Sequence, residues 1–134
     1  MEIQQMPANV ERALSISAHP DDSEFFAGGT LAHLTSNGTE VSLVVATDGA
    51  KGGRNIDNVA RVRRQEQKNA AAELGIKNII SLAYKDGELT PEDAFRVRLI
   101  EIIRQVRPDI IFCHHPQTFY KQYKAISVLG HSDH

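Results

Sequence analysis

Val41-Ser42-Leu43-Val44-Val45-Ala46-Thr47 (VSLVVAT) is an almost unbroken apolar run rich in β-branched residues. Such a run marks a strand buried on both faces, the pattern of a parallel sheet covered by helices. Toward the N-terminus, Asn37-Gly38 reads as a C-cap for a helical stretch from Leu31 to Ser36, which Gly28-Gly29-Thr30 opens. Before it, Leu14-Ser15-Ile16-Ser17-Ala18 alternates as a first strand. On the other side, Asp48-Gly49-Ala50-Lys51-Gly52-Gly53 must be a loop, since three glycines in six residues disfavour any regular element.

Further on, Asp57 is placed to cap a long helix running to about Leu74 and stopped by Gly75. Ile79 to Tyr84 predicts a third strand, followed by the turn Lys85-Asp86-Gly87. Thr90-Pro91-Glu92-Asp93 predicts a helix start with Pro91 in the first helical position. That helix carries Phe95, Leu99, Ile102, Ile103 and Val106 on one face and ends before Arg107-Pro108. Asp109 to Cys113 is the fourth strand, with Cys113 expected in the core. The β-α-β-α-β-α-β order predicts one α/β domain over residues 1–134, three-layered and Rossmann-like, with helices on both faces of a mostly parallel sheet. In strand order 3-2-1-4 the topological switch lies between the first and fourth strands, and ligands bind beyond the carboxyl ends of those two.

Composition narrows the function classes. Fifteen basic and 17 acidic side chains give a net charge of −2, which supplies no footprint for nucleic acid or anionic lipid. No run approaches the roughly 18 apolar residues of a membrane-spanning helix, and no signal peptide is visible. A single cysteine excludes an internal disulfide framework and points to a reducing compartment, the cytoplasm by default.

The chemistry concentrates where the topology places a ligand. Directly after the first strand comes His19-Pro20-Asp21-Asp22. Pro20 keeps His19 extended, and the turn after it can bring Asp22 round to the same point while Asp21 projects elsewhere. One carboxylate can then ligate a metal while its neighbour serves as a base. Past the fourth strand stand His114 and His115, which are either ordinary strand-end residues or supply one that lines the site, and then His131-Ser132-Asp133-His134. On a helical turn His131 and His134 share a side, and Asp133 can accept an imidazole N–H. A His-Asp-His set with one open position is a pattern for catalytic zinc, although spacing alone leaves Fe2+, manganese or nickel open. With a base and an imidazole nearby, these are the parts for hydrolysing an amide.

In combination, Ala18-His19-Pro20-Asp21-Asp22, Gly28-Gly29-Thr30-Leu31-Ala32, Thr47-Asp48-Gly49, the Arg63-to-Glu66 RxxE, Asp86-Gly87-Glu88-Leu89 and the closing HxDH resemble the LmbE/PIG-L deacetylase family over residues 12–134. The resemblance implies zinc-dependent removal of acetyl groups from N-acetylglucosamine units attached to inositol, malate, phosphatidylinositol or another sugar. It makes His19, Asp22 and His134 the Zn2+ ligands, Asp21 the general base, His131 the oxyanion stabiliser and Asp133 the partner that tunes His131. Arg63 and Asp86 match positions that contact the polar aglycone in relatives. Ser132 stands where proline is commoner, and Phe25-Phe26 would narrow the pocket rim. Relatives continue well beyond the position of His134, so the domain is expected to be C-terminally incomplete. Its open sheet edge then invites a partner chain or homo-oligomer. Two other readings compete. A catalytically inactive Rossmann-like sugar-binding domain would hold no metal. A phosphoacceptor receiver needs an acceptor Asp at the end of the third strand, which Tyr84-Lys85-Asp86 imitates poorly.

Overall fold

A computed structural model describes residues 7, 9–53, 57–115 and 133–134. Its elements run β1 (Arg12–Ser17), α1 (Asp22–Ser36), β2 (Glu40–Thr47), α2 (Val59–Glu73), β3 (Asn78–Tyr84), α3 (Asp93–Val106) and β4 (Ile110–Cys113). The four strands form one sheet in the order β3-β2-β1-β4, and every pairing is parallel. Strand β2 is buried from Val41 to Thr47, as its unbroken apolar run requires.

The two faces of the sheet carry separate cores. On one, Ala27, Leu31 and Leu34 of α1 and Ala71 of α2 pack with Ala13, Val41 and Leu43. On the other, Ile102 of α3 packs with Leu14 and Val44, flanked by Leu99, Ile103 and Val106. Helices α1 and α2 therefore cover one face and α3 the other, the expected three layers. Strand β1 is buried on both faces despite its serines. Ser15 Oγ lies 2.8 Å from Ser23 Oγ, and Ser17 Oγ donates to the Val44 carbonyl, so the buried hydroxyls are satisfied.

Several local expectations need correction. Helix α1 begins at Asp22, so Gly28 and Gly29 lie inside it rather than at its start. Burial of Ser23, Ala27, Leu31 and Leu34 along one stripe outweighs the modest helix cost of two glycines. A Cβ on either glycine would meet nothing within 4 Å, so neither is needed for close packing. Helix α2 starts after Asn58, one residue past Asp57, with no side-chain cap. Helix α3 starts at Asp93, two residues beyond Pro91. Cys113 is exposed, not in the core, because β4 has a strand on one side only among the described residues.

Candidate metal centre

The carboxyl ends of β1 and β4 open onto one crevice, and β1 delivers His19 there, 6% exposed. The next residues turn sharply. Asp21 has φ 112°, a left-handed conformation unusual for a side chain with a Cβ, and α1 begins at Asp22. That turn brings Asp22 back over β1, where its Oδ2 accepts the His19 backbone N–H at 2.8 Å. His134 reaches the same point.

Three ligand atoms converge. His19 Nδ1 lies 3.4 Å from Asp22 Oδ2, His134 Nε2 lies 3.4 Å from Asp22 Oδ2, and the two ring nitrogens are 3.3 Å apart. The edge of a tetrahedron is about 1.63 times the centre-to-vertex length, so bonds of about 2.0–2.1 Å to zinc require edges of about 3.3–3.4 Å. The triangle matches that face. His114, at the end of β4, places Nε2 3.3 Å from Asp22 Oδ2 and stacks on His134 with ring centroids 4.1 Å apart. Phe26 meets the His114 ring edge-on.

Behind His19 lies a second carboxylate layer. Its Nε2 is 3.1 Å from Asp86 Oδ1 and 3.2 Å from Asp133 Oδ2. Asp86 Oδ2 accepts the Lys51 N–H, and Asp133 accepts the N–H groups of Gly87 and Leu89. His19, Asp86 and Asp133 form another His/Asp group able to hold a cation, but all three are buried and the two acids are already tied to backbone donors. This group is better suited to orienting the imidazole. A proton on Nε2 shared with these acids directs the Nδ1 lone pair at the triangle, the arrangement that strengthens a ligating histidine.

The charges are strongly coupled. Burial alone would raise the Asp22 pKa, but hydrogen bonds from the His19 side chain and backbone, and the fields of His134 and His19, hold it well below the usual carboxylate range. The hydrogen bond with Asp22 raises the His19 pKa against the opposing effect of burial, helped by the charges of Asp22 and Asp86 and by Asp133. Three carboxylates around one imidazole carry a negative excess that a divalent cation would balance.

Of the residues singled out from sequence, His19, Asp22 and His134 meet at one point. Asp21 stands at the rim with its side chain 71% exposed, paired to Arg63 at 2.7 Å. Asp86, expected against substrate, is instead 4% exposed beneath His19, because the turn after β3 folds inward. Arg63 has its guanidinium directed to Asp21, the Pro20 carbonyl and the Gly49 carbonyl. Asp133 is at His19, while His131 lies outside the described residues. The contact between Asp133 and His19, the inward role of Asp86, and Gln67, whose Oε1 accepts the Asp21 N–H at 3.0 Å, were not anticipated.

Residues 14–134 match the family described as PIG-L, GlcNAc-PI de-N-acetylase. The chain belongs to the PIG-L family. Diacetylchitobiose deacetylase of Thermococcus kodakarensis is 33% identical to this PIG-L chain over 130 residues, covering 94% of it and 46% of the relative. The structure of N,N'-diacetylchitobiose deacetylase from Pyrococcus horikoshii superposes with a TM-score of 0.84 at 34% identity, covering 94% of this chain and 46% of that one. GalB, the 4-carboxy-2-hydroxymuconate hydratase of Pseudomonas putida KT2440, superposes with a TM-score of 0.74 at 25% identity, covering 82% and 49%. The PIG-L chain thus spans about half the length of the relatives it matches. None of its described helices is long and apolar enough to cross a membrane.

Proposed function

We propose that this PIG-L chain carries the metal centre of a deacetylase acting on N-acetylglucosamine-type sugars. The observation that carries the reading is the ligand triangle with 3.3–3.4 Å edges, next in the chain to the exposed carboxylate of Asp21. His19, Asp22 and His134 would hold a divalent ion, with zinc and Fe2+ both compatible with such a donor set. Bound there, the ion lowers the pKa of water and polarises an acyl oxygen.

The chain's own groups supply the rest. Asp21 takes a proton from the attacking water as its oxygen bonds to the acetyl carbon. The same carboxyl then returns a proton to the amide nitrogen as the C–N bond breaks, leaving acetate and a free amine. His131 would stabilise the oxyanion, and Asp86 and Asp133 fix the orientation of His19. Phe26 and His114 shape the rim that receives the sugar.

Metal analysis of the purified chain and release of acetate from a panel of N-acetylglucosamine conjugates, diacetylchitobiose included, test the reading. One equivalent of metal with metal-dependent acetate release is expected. Binding of the sugars without metal or turnover would instead establish an inactive sugar-binding domain. The likeness to a hydratase makes water addition to an unsaturated acid the control reaction, because one fold can host both chemistries.

A further inference from the structure

We propose that Phe26 of α1 is a specificity-determining residue whose ring receives a second, neutral carbohydrate ring joined to the N-acetylglucosamine unit, and that Gly29 leaves room for it. The inference rests on the deacetylase reading above and names the part of the substrate beyond the acetamide sugar. Asp22 and Phe26 are one helical turn apart and share a face of α1, so the phenyl ring stands beside a ligand of the triangle. A row of rings leads there. The centroids of His19 and His134 are 5.2 Å apart, His134 stacks on His114 at 4.1 Å, and His114 meets Phe26 at 5.1 Å. Exposure rises along the row, from 6% for His19 to 41% for Phe26.

Packing does not account for that ring. Phe26 joins neither core cluster, and the buried stripe of α1 runs through Ser23, Ala27, Leu31 and Leu34 instead. An exposed aromatic continuous with a reaction centre is surface for a ligand, and its face suits the C–H face of a pyranose. Gly29 points the same way. It lies three residues beyond Phe26 on the same side of the helix, and a Cβ there would meet nothing within 4 Å among the described residues. Glycine weakens a helix interior relative to alanine and no packing contact requires it here, so its use is a bare backbone where a ligand comes close. Charge selects a neutral ring. Asp22 and Glu24 occupy the first turn of α1, and no lysine or arginine occurs from Asp22 to Ser36. An anionic aglycone laid along this face would find like charge and no cation of α1 to pair with.

The experiment compares acetate release from diacetylchitobiose and from N-acetylglucosamine, as the ratio of their kcat/KM values, with metal content measured on each variant. Phe26→Ala should lower the ratio by about 3- to 10-fold, the worth of one aromatic contact, with metal content unchanged. Phe26→Leu keeps apolar bulk and should not restore the ratio, whereas Phe26→Trp should. Gly29→Leu should raise the melting temperature, leucine being the better helix former, and yet lower the ratio. The chain has no tryptophan, so Phe26→Trp also supplies a single fluorophore that reads binding without turnover. On an Asp21→Asn background, its emission should respond to diacetylchitobiose at lower concentration than to N-acetylglucosamine or N-acetylglucosaminyl malate. An unchanged ratio in Phe26→Ala, full rescue by leucine, or loss of metal would overturn the inference, the last because Phe26 would then only brace His114. Tighter binding of the malate conjugate would rule out the neutral ring. Emission that responds to the disaccharide in a chain releasing no acetate would sink the deacetylase reading and keep Phe26 as a sugar platform. Acetate release beside an emission blind to both sugars would do the reverse.

Discussion

The two ends of β1 each carry aspartates, and they use them in opposite ways. At the amino end, Asp109 Oδ2 accepts the backbone N–H groups of Glu11 and Arg12, both at 2.9 Å, and Arg12 Nε donates to the Arg107 carbonyl. The acid meets ordinary donors and pins β4 beside β1. At the carboxyl end, Asp22, Asp86 and Asp133 converge on His19, with His134 and His114 closing on Asp22. Ring nitrogens and carboxylate oxygens packed together in that way make a poor structural device, since two imidazole nitrogens 3.3 Å apart need a proton or a cation between them. An acid matched to backbone donors alone builds the fold, whereas acids that also meet imidazoles prepare a binding point for a cation.

Substitutions at the two ends should separate these roles. The largest effect belongs to the triangle. His19→Ala and Asp22→Ala should abolish stoichiometric metal binding and reduce acetate release to background, as read by metal analysis and assay. Full occupancy in both would mean that the ion sits elsewhere. Next comes the rim, where Asp21→Asn should keep its metal and lose about 10²- to 10⁴-fold in kcat. Loss of metal in that variant would move Asp21 into the ligand set.

The rear layer should matter less. Asp86→Asn and Asp133→Asn leave the triangle intact but weaken the orientation of His19, and metal affinity should drop by about 10- to 100-fold in competition with a chelator. An unchanged affinity would reduce both acids to structural links between loops.

The smallest effect lies at the amino end. Backbone hydrogen bonds from Arg12 and Glu11 hold the Asp109 pKa below its ordinary value. A depressed folded pKa gives stability that is fully present above the unfolded value near 4 and is lost as pH falls through the folded one. The melting temperature of Asp109→Asn should therefore lie below that of the parent at neutral pH, with the gap closing in acid and no change in metal content. A gap that widens in acid would reverse the sign of this coupling.

Much of this was legible beforehand because the signals are local. The run Val41 to Thr47 has one sensible environment, and alternating strands and helices admit few parallel topologies, so the three layers and the strand order follow from pattern and chain handedness. His19 and Asp22 were equally legible, since a proline turn after a strand brings residues three apart to one point. Other features were not. The start of α1 depended on which side chains found a buried stripe, and Gly28-Gly29 misled because propensity is weaker than packing. Cys113 was misplaced because burial of an apolar strand depends on how many neighbours it has. The sequence by itself determined the sheet, the crevice and the meeting of His19 with Asp22, all products of short-range spacing and periodicity. Only the tertiary structure decided that Asp86 faces His19 rather than a substrate, that Asp133 lies beside it, and that Arg63 and Gln67 reach back from α2 to Asp21. Those contacts join residues 42 to 114 positions apart, and no local rule specifies which loops the fold brings together.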